Sequence, residues 1–102
     1  MNTPGGPENE ARARVQIVNK KGMHARAAAM FAQLVDEYDA KVTVTAGGET
    51  VGGDSIMGLL MLGAACGTDI EIAATGAQAK EALAGLVRLI ENRFEEEDFP
   101  GY

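Results

Sequence analysis

From Ala13 to Val18 apolar and polar side chains alternate, with Val15 and Ile17 on one face and Arg14 and Gln16 on the other. That two-residue period predicts a half-buried strand. Asn19-Lys20-Lys21-Gly22 breaks the alternation, and beyond it Ala27, Met30, Phe31, Leu34, Val35 and Tyr38 recur at helical spacing, so a helix is expected to start near Ala25. After Asp39, Val42 and Val44 alternate with Thr43 and Thr45, Gly47-Gly48 supplies a hairpin turn, and Glu49 to Gly52 forms a short return strand. Ser55 then precedes an apolar run through Ile56, Met57, Leu59, Leu60, Met61, Leu62 and Ala65. This predicts a short second helix with a serine N-cap and a glycine stop at Gly67. Ile70 and Ile72 alternate with Asp69, Glu71 and Ala73 as a fourth strand, and Ala79, Leu83, Leu86, Val87, Ile90 and Phe94 trace one face of a long closing helix.

The order βαββαβα suits an α+β fold, a two-layer sandwich in which four strands bury one face under helices. Pattern alone leaves the strand order open. Residues 1–11, rich in Gly, Pro, Asn and Glu, are expected to form a disordered arm, residues 12–95 one domain, and residues 96–102 a flexible acidic tail.

Composition narrows the function. The 102 residues fit one small domain, and with 46% hydrophobic residues but only two Tyr, three Phe and no Trp its core must be aliphatic. Nine Lys and Arg against fifteen Asp and Glu leave a net charge of −6, which disfavours nucleic acid and anionic lipid as partners. Strand positions also lack the aromatics that stack bases. One cysteine, Cys66, can form neither an internal disulfide nor a thiolate zinc site, which points to a reduced, cytoplasmic compartment without a structural metal. Cys66 is expected to be a small buried filler, and a Cys66–His24 thiol enzyme is disfavoured because no third orienting group is evident. No basic start followed by an apolar stretch and no run of ~18 apolar residues appears, so neither export nor membrane insertion is expected.

The one histidine, His24, falls where the glycine-containing loop turns into the first helix. Free amides and the positive dipole end of a helix N-terminus bind anions, so a phosphoryl group on His24 would meet the backbone N–H groups of Ala25 and Arg26. The Arg26 guanidinium is suited to phosphate oxygens, and Lys20 and Lys21 add positive charge. A neutral imidazole can act as a nucleophile near neutral pH. An exposed or capping histidine explains the position equally well, and the spacing to Arg26 does not separate the two.

The stretch Asn19 to Phe31, NKKGMHARAAAMF, closely resembles the active-site segment of HPr, the histidine-containing phosphocarrier of the bacterial phosphotransferase system. A second stretch, DSIMGLLMLGAACGTDIEIAATG from Asp54 to Gly76, resembles that family's regulatory-serine helix and fourth strand, and the resemblance runs from about Arg14 to Arg93. It implies an open-faced sandwich of four antiparallel strands covered on one face by three helices. It also implies phosphorylation of His24 on Nδ1, steadied by Arg26, with Enzyme I as donor and a IIA-type protein as acceptor. No cofactor or metal is implied, the protein is a carrier and not a self-contained enzyme, and a monomer is expected. Two departures matter. Many members have proline directly after the arginine, where this chain has Ala27; alanine is an excellent helix former, so transfer is expected to survive with an altered rate or partner choice. Members that serve sugar permeases often carry lysine where this chain has Gln33 and Asp36. Together with Ala27 and the Ser55 segment, these resemble the nitrogen-related branch, so a mainly regulatory module is the alternative to a relay.

Ser55 has two roles open to it. It suits a helix N-cap, and by resemblance it matches the serine modified by an HPr kinase/phosphorylase in some branches. Leu59 and Leu62 are expected in the core. Ile56, Met57 and Leu60, joined by Met23, are expected to form a docking patch beside His24, and Ala27 is placed among the partner-contacting residues.

Overall fold

A computed structural model describes residues 10–96. It contains β1 (Glu10–Gln16), α1 (Ala25–Val35), β2 (Lys41–Ala46), β3 (Glu49–Gly52), α2 (Ile56–Leu62), β4 (Asp69–Thr75) and α3 (Ala79–Glu91), followed by a short 3₁₀ turn at Arg93–Glu95. The four strands form one sheet in the order β1-β4-β2-β3, and every neighbouring pair is antiparallel.

Register explains why this order buries a continuous apolar face. On β4, Ile70 and Ile72 stand opposite Val15 and Ala13 of β1, while Ile72 and Ala74 also stand opposite Val44 and Val42 of β2. The alternation of all three strands therefore points the same way, under the helices. Ile17, Phe31, Val44, Leu59, Ile70, Ile72, Leu86 and Ile90 are all but inaccessible to solvent. The opposite face carries Arg12, Arg14, Gln16, Thr43, Thr45 and Glu71 and is left to water. Its ion pairs, Arg12 with Glu10 at 3.1 Å and with Glu71 at 3.7 Å, are exposed and add little stability.

The structure departs from the pattern in several places. β1 starts at Glu10, and Glu10 and Ala11 pair with Thr75 and Ala74, so these two residues belong to the sheet and not to a disordered arm. The rest of that arm, and the acidic tail beyond Glu96, lie outside the described residues. α2 stops at Gly63, four residues before the expected Gly67, with Gly63 in the left-handed conformation. The chain turns there because the backbone of Ala64 is engaged by the loop that precedes α1. Leu59 is buried as expected, whereas Leu62 is only half-buried. Cys66 is exposed, which corrects the expectation of a core filler: it sits in the tight connection to β4, outside the helix face that packs. α3 ends at Glu91, short of Phe94. Arg93, Phe94 and Glu95 then hold φ of 60, 53 and 58°, a left-handed turn that drops Phe94 into the core.

Candidate functional site

The site is assembled on a loop whose backbone is pinned on both sides. Gly22 holds φ +67°, and a Cβ there would lie 2.6 Å from the carbonyl oxygen of Ala64 and 2.9 Å from the Cα of Ala65. Only glycine combines that conformation with such an approach of two backbones. The Met23 N–H donates to the Ala64 carbonyl at 2.9 Å, which fastens the loop to the end of α2. On the inner side Asn19, fully buried, donates through Nδ2 to the Gly22 carbonyl at 2.8 Å, and the same carbonyl accepts the His24 N–H at 2.9 Å.

These constraints place His24 at the N-cap of α1, in an extended conformation and with no side-chain capping bond. Its carbonyl accepts the first helical hydrogen bond, from Ala28 N–H at 2.8 Å. The amides of Ala25, Arg26 and Ala27 consequently have no helical partner and no serine, threonine or aspartate to satisfy them. No acidic residue of the helix itself occupies the first turn to offset the positive dipole end.

The His24 ring is partly covered: Nε2 is buried without a hydrogen-bond partner, while the side chain as a whole is 28% exposed. A cleft of about 440 Å³ opens beside it, lined by Lys21, His24, Arg26, Phe94, Glu95 and Glu96. Lys21 and Arg26 are thus brought to the histidine as expected, whereas Lys20 is exposed but does not line the cleft.

Four members of this site were not anticipated: Phe94 and Glu95, which line the cleft, and Asn19 and Glu96. Asn19 was expected only to break the first strand, and Glu96 was assigned to a flexible tail. In the fold Asn19 Nδ2 also donates to Glu96 Oε1 at 2.8 Å, and that carboxylate oxygen lies 3.9 Å from His24 Nε2. The left-handed turn at Arg93–Glu95 delivers Glu96 there. Three such residues in a row cost about 1–2 kcal/mol each, and the burial of Phe94 helps to offset that cost.

Ser55 caps α2, its Oγ accepting the Gly58 N–H at 2.9 Å. Of the expected patch, Ile56 and Met57 are 43% and 68% exposed, and Met61, on the same helix, is 74% exposed. Leu60 is half-buried and forms a margin of that surface. Met23 and Ala27 do not belong to it: both side chains are buried, since the pinned loop and the inner face of α1 turn them into the core. Among the described residues no group of three His, Cys, Asp or Glu side chains is placed to hold a metal ion, and no helix is long and apolar enough to cross a membrane.

Both the sequence and the fold have counterparts among known proteins. A family model described as the PTS HPr component phosphorylation site matches residues 11–92. The chain is 45% identical over 82 residues to the phosphocarrier protein HPr of Neisseria meningitidis serogroup A, covering 80% of this chain and 92% of that protein. It is 42% identical over 84 residues to the phosphocarrier protein NPr of Escherichia coli K12, covering 81% and 93%. Among solved structures, HPr-C-His from Thermoanaerobacter tengcongensis superposes with a TM-score of 0.82 at 36% identity, covering 86% of this chain and 99% of that one. Sequence and fold thus coincide over nearly the whole described chain, which belongs to the HPr family of phosphotransferase-system phosphocarrier proteins.

Proposed function

We propose that His24 is the phosphoryl acceptor of this carrier, taking the group on Nδ1 from phosphorylated Enzyme I and yielding it to a IIA-type protein. The observation that carries this reading is the burial of Nε2 in a ring that is otherwise partly exposed at an uncapped helix N-terminus, which leaves Nδ1 as the nitrogen to react. The Nδ1 lone pair attacks phosphorus while the donor's bond to phosphorus breaks. The amides of Ala25 and Arg26 receive the phosphoryl oxygens, and the exposed Arg26 guanidinium supplies a further pair of donors. Positioning and electrostatics perform the work, and the protein turns nothing over alone.

The exposed Ile56, Met57 and Met61, with Leu60 at their margin, supply an apolar docking surface for both partners. Ser55 is the site of a regulatory phosphorylation by an HPr kinase/phosphorylase, which sets about −1.5 to −2 charges against that surface. A second, regulatory reading is favoured by the exposed Gln33 and Asp36, which present no cation on α1 to an acidic acceptor. In that reading the acceptor belongs to nitrogen-related control and not to sugar uptake. The carrier works as a cytoplasmic monomer.

The test is phosphoryl uptake from phosphoenolpyruvate and Enzyme I by the purified chain. Acid-labile phosphate is expected on the parent and none on His24→Ala. A folded parent that takes up none would remove the relay.

A further inference from the structure

The His24 cleft is lined by two basic residues, Lys21 and Arg26, and by two acidic ones, Glu95 and Glu96. Glu96 reaches this cleft only by way of the left-handed turn, which keeps three residues with side chains at positive φ. Backbone of that kind persists where its surroundings over-determine it, and it concentrates at functional sites. Here its product is the location of one carboxylate. Oε1 is held at 2.8 Å by Asn19 Nδ2 and stands 3.9 Å from His24 Nε2, a buried nitrogen with no other partner. The Asn19 amide is fixed in this orientation. Both of its acceptors, the Gly22 carbonyl and Glu96 Oε1, lie 2.8 Å from Nδ2, and a flip would set oxygen against two oxygens.

We propose that Glu96 is a positioning residue for phosphoryl transfer, whose carboxylate keeps the ring proton of His24 on Nε2 and so keeps the lone pair on Nδ1. The proposal rests on the reading of His24 as the acceptor. A neutral imidazole carries one N–H and one lone pair, and the hydrogen bond made by the N–H sets which nitrogen is which. With the proton on Nε2, Nδ1 attacks phosphorus, the new N–P bond forms, and the donor leaves with the electron pair of the bond that breaks. The ring then carries a positive charge shared with Nε2–H, and Glu96 faces that charge from the side away from the phosphoryl group. On transfer to the acceptor the N–P bond breaks and its electron pair returns to Nδ1. Because Nε2 has kept its proton, the leaving group is neutral imidazole and not imidazolate. The separation of 3.9 Å is about 1 Å longer than a hydrogen bond, and the charge gained on phosphorylation draws the carboxylate in.

The test compares the full chain with Glu96→Ala and Glu96→Gln by ring ¹⁵N NMR of His24 at alkaline pH, where the ring is neutral. It also compares phosphoryl uptake from phosphoenolpyruvate and Enzyme I. The parent ring is expected at the Nε2–H limit, Glu96→Ala moves it toward a mixture of tautomers, and Glu96→Gln, which retains an acceptor oxygen, recovers most of the parent signal. Uptake is expected to fall about tenfold in Glu96→Ala and about threefold in Glu96→Gln, with circular dichroism unchanged. Ring ¹⁵N shifts unchanged in Glu96→Ala, or uptake as fast as the parent's, would overturn the proposal. If the parent itself accepts no phosphate, the acceptor reading of His24 falls, and the ring shifts still decide for or against Glu96.

Discussion

α1 and α2 begin in opposite ways. α2 opens on Ser55, whose Oγ accepts the Gly58 N–H at 2.9 Å and closes the helix end with the chain's own hydroxyl. α1 opens on His24, which makes no capping bond and leaves its first amides for something else. The first is an ordinary stabilised terminus, and the second forgoes about 1 kcal/mol of capping and keeps a positive, donor-rich end beside the His24 ring. A phosphoryl group can therefore enter at α1 without displacing anything. At Ser55 it must replace an existing cap, although its own oxygens can accept the same amide.

The most disruptive way to break the contrast is Gly22→Ala. The left-handed conformation and the 2.6 Å approach to the Ala64 oxygen leave no room for a methyl group. A loss of about 2–4 kcal/mol is expected, seen as a drop of roughly 10 °C or more in the thermal midpoint. An unchanged midpoint would show that the loop is not pinned as described.

A smaller effect is expected from opening the closed terminus. Ser55→Ala should cost about 1 kcal/mol by denaturant unfolding while leaving phosphoryl uptake at His24 near the parent rate. Ser55→Asp keeps a capping acceptor, so its stability should stay within about 0.5 kcal/mol of the parent. Its added charge beside Ile56 and Met57 should slow uptake from Enzyme I, and uptake as fast as the parent's would exclude electrostatic control from this position.

Closing the open terminus is expected to have a somewhat smaller effect on stability than removing the cap at Ser55. His24→Ser gives α1 a hydroxyl cap and should be more stable than His24→Ala by about 0.5–1 kcal/mol, with no uptake in either. Equal unfolding midpoints for the two variants would mean that the first amides of α1 already have partners.

Much of this arrangement could be read from local pattern. The alternation in β1, β2 and β4, the helical recurrence from Ala27 to Val35 and the serine before Ile56 each depend on neighbours a few residues apart, and each element is present in the expected order, although β1 runs from Glu10 to Gln16 and not from Ala13 to Val18. His24 at a helix start was legible for the same reason, and the resemblance of NKKGMHARAAAMF supplied the chemistry that position alone left open. Met23 and Ala27 were misplaced because the side of a pinned loop that faces the core depends on its partner, the backbone at Ala64. Cys66 was misplaced because an apolar run does not show where its helix stops. Gly63 ended α2 and left the thiol in a connection.

The amino-acid order by itself determined the elements, the inward set of each strand and the histidine at a helix start, because those follow from periodicities of two and 3.6 residues and from local backbone chemistry. Tertiary structure alone decided the strand order β1-β4-β2-β3, the burial of Nε2 and the return of Glu96 to the histidine. Asn19 and Glu96 are 77 residues apart, and in a run of similar acidic residues nothing local distinguishes the one that a left-handed turn carries back. Contacts across that distance form only once the core has offset their closure entropy, so their physical cause lies in the packing of Phe94 into that core and not in the acidic run itself.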